Sequence, residues 1–310
     1  MTSVRWIAVG CLLSLVHGVA VADPSGGDAQ RPTKRIVMIA GPRSHNYGAH
    51  EHYAGLKILA RSIADDDVSV KVVRGWPEDD APLDSADAIV FFADGGGRHP
   101  AIPHLDKLES LAARGVGLAA IHYAVETVPG ETGNRWLELM GGHFEIHKSV
   151  NPHWTAELQT DPAHPVTAGI APFKTLDEWY FNLRFKGSGV TPLLQAVAPE
   201  STMRRRDGHH SGNPEVRKLV ADGATHTLAW AYERPGDGGR SFGITGGHFH
   251  WVWGNDAMRE VTARGIRWVA GLSPAVPESA PDVSVDDLLQ NQDYERPDKF
   301  KLDTIRQYID

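Results

Sequence analysis

The chain has 310 residues, a net charge of −8 and a single cysteine, Cys11, against 16 histidines. The acidic balance argues against a nucleic-acid partner, which needs a basic face, and against adhesion to an anionic membrane surface. After Cys11 there is no thiol for a disulfide, a thiolate zinc site or a cysteine nucleophile, so any metal falls to histidine and carboxylate groups.

Arg5, the apolar run Trp6 to Val16 and the small-x-small pattern Ala20-Val21-Ala22 read as a secretory signal peptide over residues 1–22, cleaved before Asp23. The run is shorter than the ~20 residues of a bilayer span. The protein is therefore expected to be periplasmic or secreted. Residues 23–34 are rich in Gly, Pro and polar groups and read as a disordered lead-in. Residues 35–272 form the expected folded domain. Ile36 to Ala40, Val68 to Val73, Ala88 to Ala93 and Gly117 to Ile121 are apolar runs that read as strands. Helical spacing over Glu51 to Ile63, Pro103 to Arg114 and Asn134 to Met140 places helices between or after them. Alternating strand and helix predicts an α/β fold with a parallel sheet and right-handed crossovers. His153 to Leu158, Trp179 to Leu183, Thr191 to Val197 and His226 to Tyr232 are read as strands that elaborate the same sheet. Ser201 to Arg217 reads as a charged surface loop. Ser241 to Thr245 returns as a core strand, and Asn255 to Ala270 is the last long helix. Residues 273–310 read as an exposed, acidic, Pro-rich tail with one short helix near Leu288.

Ligands of open parallel sheets bind beyond the carboxyl ends of the strands. Residues able to do chemistry follow those ends here: Arg43, Ser44, His45 and His50-Glu51-His52 after the first strand, Asp94-Gly95-Gly96-Gly97 after the third, and His122-Tyr123 after the fourth. Gly246-Gly247-His248-Phe249-His250 follows the late strand. His122 stands at a sharp strand exit, where an imidazole can act as base, metal ligand or hydrogen-bond donor, or simply be a capped structural group. His248 and His250 share a face if extended, as do His143, Glu145 and His147. Asp177-Glu178 could supply a carboxylate to a sugar hydroxyl or cap a turn. The glycine run permits close backbone approach and an anion nest. No dinucleotide fingerprint, phosphate loop or G-x-S-x-G motif occurs, so no nucleotide cofactor is expected. His45, His122 and His248 are expected to converge in one pocket above Asp94 to Gly97. They are the candidate acid–base groups and the candidate ligands of a divalent metal such as zinc.

The run Ser44 to His52, together with Asp94 to Gly97, Ile121-His122-Tyr123-Ala124, Asn151-Pro152-His153-Trp154, Asp177-Glu178-Trp179-Tyr180 and Gly246 to His250, resembles the trehalose-utilisation (ThuA-like) family. The resemblance implies a class I glutamine amidotransferase-like, flavodoxin-like doubly wound sheet. It also implies that His122 occupies the elbow where amidotransferases carry cysteine, so glutaminase activity is not expected. It further implies sugar catabolism, including 3-keto-disaccharide pathways, with a small-molecule sugar as ligand and a sugar dehydrogenase of the same pathway as a candidate partner. His122, His45, His248 and Glu178 are then the candidate catalytic groups. Arg43, Asp94, Gly95, Gly96, Gly97, Tyr123, His143, Glu145, His153, Trp154, Trp179 and His250 are the candidate sugar contacts. A non-catalytic sugar-binding or pathway-partner module derived from the same fold is the competing reading.

Overall fold

The computed structural model describes residues 1–2 and 33–309; the expected signal segment, Cys11 and most of the lead-in lie outside the described residues. In chain order the folded part runs β1 (Lys34–Ala40), α1 (His52–Ile63), β2 (Val68–Arg74), α2 (Ala81–Asp84), β3 (Ala88–Phe92), α3 (Leu105–Ala113), β4 (Gly117–Ile121) and α4 (Glu131–Met140). Then follow β5 (Gly142–His143), β6 (His153–Thr160), β7 (Phe173–Glu178), β8 (Arg184–Phe185), β9 (Val190–Val197), α5 (Pro214–Ala221), β10 (Thr225–Glu233) and β11 (Arg240–Ile244). The last helices are α6 (Asp256–Val269), α7 (Val285–Leu288) and α8 (Asp303–Ile309).

Nine strands make one sheet in the order β2-β1-β3-β4-β11-β10-β9-β6-β7. The first five are parallel neighbours, as the alternating pattern predicts. This is the flavodoxin-like arrangement, with its switch point between β1 and β3. The other four strands add on as an antiparallel extension, the elaboration expected from the middle of the sequence.

Apolar residues on successive positions of β1 go to opposite faces, because side chains alternate along a strand. Ile36 and Met38 pack with Leu56 and Leu59 of α1 and Ile266 of α6 on one side. Val37 and Ile39 pack with Leu105 and Leu108 of α3 and Trp136 of α4 on the other. Both faces are covered, which is why these strands read as unbroken apolar runs.

Three expectations change. Trp179 to Leu183 is not a strand; the strand lies just before it at β7, whose pattern alternates, whereas Trp179, Tyr180 and Phe181 are all buried in succession. The Ser201 to Arg217 segment is not wholly a loop, because Asn213 caps α5 through Val216 N–H at 2.9 Å and Pro214 fills its first position. The C-terminal segment is not simply exposed: Leu288, Ile305 and Tyr308 are buried. It packs against the site's own loops, with Arg43 stacked on Tyr294, Tyr47 edge-on to Phe300 and Phe249 tilted against Tyr308. No helix among the described residues is long and apolar enough to cross a membrane.

Candidate metal centre

The carboxyl ends of β1, β3, β4 and β11 share one edge of the sheet, and the turns beyond them are tight. His45, His50 and His122 take left-handed backbone at φ 59°, 51° and 56°. That region costs a non-glycine residue about 1–2 kcal/mol, so the surrounding structure holds these histidines in place. Gly247, beyond β11, sits at φ 124°; a Cβ there would stand 3.3 Å from the Cβ of His122. Asp177 of β7 pins the same turn by accepting the N–H groups of Gly247, His248 and Phe249 at 2.5, 3.1 and 3.2 Å.

Four buried side chains meet there. His50 Nε2 lies 3.0 Å from His248 Nδ1 and 3.2 Å from His122 Nε2. Glu178 Oε2 lies 3.2 Å from His248 Nδ1 and 3.5 Å from His122 Nε2. Ligands ~2.1 Å from a tetrahedral ion stand roughly 3.4 Å from one another. This buried His/Glu cluster could bind a metal ion.

The proton inventory says why it suits a cation. Asp94 is buried, and burial alone would raise its pKa, but the bond from His50 overrides this and holds it below the usual carboxylate range. An ionised carboxylate only accepts, so His50 donates Nδ1–H to Asp94 Oδ1 at 2.7 Å. His122 likewise donates Nδ1–H to the Thr245 carbonyl at 2.8 Å. Burial keeps both rings neutral, pushing His50 down to about 3 and His122 well below its ordinary value. Two neutral rings whose Nδ1 carries the proton expose bare Nε2 lone pairs, and these face each other at 3.2 Å. Tyr180 can offer one O–H to His122 Nε2, at 3.2 Å, and the His248 ring at most one N–H. Neither proton lies between the two Nε2 atoms. An outer carboxylate or carbonyl fixing the tautomer of each imidazole is the usual support of a histidine metal ligand. For Glu178 too, burial opposes ionisation, but bonds from His153 and His248 and the nearby His122 keep its pKa low.

The expected residues divide. His122, His248 and Glu178 are in the cluster, and Asp94 is its outer support. His45 lies outside this cluster: it is half exposed at the rim, its ring stacked 3.6 Å from that of His50, and with His50 and Asp94 it forms a second group that could hold a metal ion. Sequence reasoning set His50 aside in favour of His45; the available signal was the position of His50-Glu51-His52 at the start of α1. It also missed Tyr180. His153 lies at the open rim, its Nε2 3.5 Å from Glu178 Oε1.

Several expected sugar contacts lie elsewhere. Trp154 and Trp179 are core residues bonded to the carbonyls of Trp179 and Thr175. His250 does not share a face with His248, since a tight turn rather than a strand carries it into the protein beside Trp251. His143, Glu145 and His147 diverge as well: His143 is buried on Thr127, Glu145 pairs with Arg184 and His147 stands beside His209. Arg43 is occupied by Tyr294. The close approach permitted by the glycine run is to the chain itself, because a Cβ on Gly95 would stand 2.2 Å from the Tyr123 carbonyl. Gly96 already gives its N–H to the Glu126 carbonyl, Gly97 completes the turn, and Tyr123 lines the outer side with its ring 6.0 Å from that of His50.

The ThuA family model, described as trehalose utilisation, matches residues 37–269. The chain belongs to the ThuA family. Membership supports a carbohydrate-related role. Among solved structures, a ThuA-like protein from Bacteroides uniformis is 15% identical, with 79% of this ThuA-family chain and 96% of that one covered at a TM-score of 0.55. A second ThuA-like protein, from Parabacteroides merdae, is 15% identical over 81% and 95% of the two chains at a TM-score of 0.53. A glutamine amidotransferase from Thermotoga maritima superposes more loosely, at 9% identity, 69% and 75% coverage and a TM-score of 0.39. No curated protein matches the chain.

Proposed function

We propose that this protein is an exported enzyme acting on a carbohydrate, with His50, His122, His248 and Glu178 holding a divalent metal such as zinc. The observation that carries the reading is the pair of bare Nε2 atoms facing each other at 3.2 Å with no proton between them. When bound, a divalent cation at such a site supplies Lewis-acid polarisation of a sugar oxygen or lowers the pKa of water. This chain's own groups do the rest. Asp94 and the Thr245 carbonyl orient two of the imidazoles. Tyr180, its pKa raised first by burial and then by Glu178, stays protonated as a donor beside His122. His153 and His45, both at the rim, are placed to exchange a proton with a bound sugar. A 3-keto-glycoside or disaccharide is the proposed substrate, and a sugar dehydrogenase that forms the ketone is the proposed partner. Arg5, the apolar run and Ala20-Val21-Ala22 support export, and N-terminal sequencing of secreted protein should begin at or near Asp23.

Metal analysis of purified protein should find one divalent ion per chain. A screen with 3-keto-glucosides should then show turnover that a chelator abolishes. His122→Ala should lose metal and turnover and keep its fold. Turnover that survives both chelation and His122→Ala would overturn the reading, as would ammonia release from glutamine.

A further inference from the structure

The cluster has one open flank. Glu178 turns Oε2 to His122 and His248, while Oε1 lies next to half-exposed His153. A cavity of about 290 Å³ adjoins these two side chains, and Asn151, Ser201, Arg204 and Arg205 are among the residues of its other walls. Its size is at the low end for small-ligand pockets and fits a single ring.

The charge around it is unlike that of the rest of the molecule. In a chain of net charge −8, Arg204 and Arg205 are two consecutive cations that line it. Arg205 is held in position, donating to Asn151 Oδ1 at 2.7 Å and to the His210 carbonyl at 3.2 Å. The next acid along the chain, Asp207, is taken by Arg217 at 2.7 Å. Among the described residues the Arg204 guanidinium has no ion-pair or hydrogen-bond partner. Glu178 makes no ion pair with either arginine: Oε2 faces the inner histidines and Oε1 faces His153.

We propose that this cavity is a subsite for a sugar ring that carries one anionic substituent, a carboxylate or a phosphate, read by Arg204 and Arg205. The inference rests on the reading of the neighbouring cluster as a sugar-processing metal centre, and it narrows the substrate to an acidic saccharide. A guanidinium presents a planar fork of donors that matches either anion. Arg205, tied to Asn151, is the preset half of the clamp. Arg204 is the free half, and its exposure makes the interaction sensitive to salt.

Calorimetric titration of the metal-analysed full chain with methyl glucuronide, glucose 6-phosphate and methyl glucoside tests this. At least one anionic sugar should bind ten-fold or more tightly than the neutral glucoside, and the two anionic arms tell carboxylate from phosphate. Added salt should narrow the gap. Arg204→Glu should erase the preference while leaving metal content unchanged. Equal binding of all three sugars, no binding of any, or a preference that survives Arg204→Glu would overturn the proposal. Bound metal without an anionic preference defeats only the subsite. An anionic preference in protein that takes up no metal defeats only the metal reading.

Discussion

Two buried polar clusters flank β11, and they are built on opposite logic. Near its start, Arg234 is buried and gives its guanidinium protons to the carbonyls of Gly238, Arg240, Val116 and Leu139 and to Ser241 Oγ. Ser241 in turn donates to the Leu139 carbonyl at 2.6 Å. Donors meet acceptors throughout, so the cluster closes on itself even though burial pulls the guanidinium pKa down to about 10. Beyond the other end of the strand, His50 and His122 turn bare Nε2 acceptors toward each other beside the Glu178 carboxylate. Buried polar groups are nearly always satisfied. A closed cluster is therefore structural, and one that lacks a positive centre could bind a metal ion.

The comparison breaks most sharply under substitution within the open cluster. His50→Ala should weaken metal binding by more than the ~100-fold that bounds changes to outer support groups, read by competition with a chromogenic chelator. Metal at a thousand-fold excess over the wild-type Kd should stabilise the wild type by about 4 kcal/mol and His50→Ala by less than about 1.4 kcal/mol, a difference visible in Tm.

Arg234→Met should do the reverse. It leaves several buried carbonyls without a donor, at about 1–3 kcal/mol each, so urea denaturation should show a loss of about 3 kcal/mol or more with metal stoichiometry unchanged. Loss of metal in that variant would mean the two clusters are not independent.

Asp94→Asn probes the outer support. The amide can still accept from His50, but the charge that fixes its tautomer is gone, and metal affinity should fall roughly 10–100-fold.

The smallest effect sharpens the comparison with a closed histidine. His99 donates Nε2–H to the Ala124 carbonyl and accepts the Ala101 N–H at Nδ1, both at 3.1 Å. Burial pushes its pKa down to about 3, whereas the unfolded chain titrates near 6.5. Its contribution is therefore fully present above about pH 6.5 and lost as the pH falls toward 3, by at most roughly 1.4 kcal/mol per pH unit. Urea titrations from pH 7 to 4 should give a shallower decline for His99→Gln than for the wild type.

The parallel half of the sheet was legible because its strands are buried on both faces and read as unbroken apolar runs. The region from His153 to Ala221 was harder. There an aromatic run, Trp179 to Phe181, imitates a strand, and the charged stretch ending at Arg217 conceals the Asn213-Pro214 helix start. For the site, strand-end placement found His122, His248 and Asp94, while Glu178 came from the Asp177-Glu178 pair and the family resemblance. Two-residue periodicity misled for His143, Glu145, His147 and His250, because none of them lies on an extended strand long enough for alternation to hold.

By itself, the sequence determined the α/β alternation, the absence of thiol chemistry after Cys11 and the set of strand exits from which the chemistry must come. These are local properties, set by apolar periodicity and composition. Only the tertiary structure decided that His50 rather than His45 turns inward, that Glu178 crosses from the antiparallel extension to join three histidines, and that Trp154 and Trp179 belong to the core. Those outcomes depend on left-handed turns, on the register of β7 and on which ring nitrogen a distant carboxylate or carbonyl captures. Such pairings join residues up to 198 positions apart, and no local pattern encodes them.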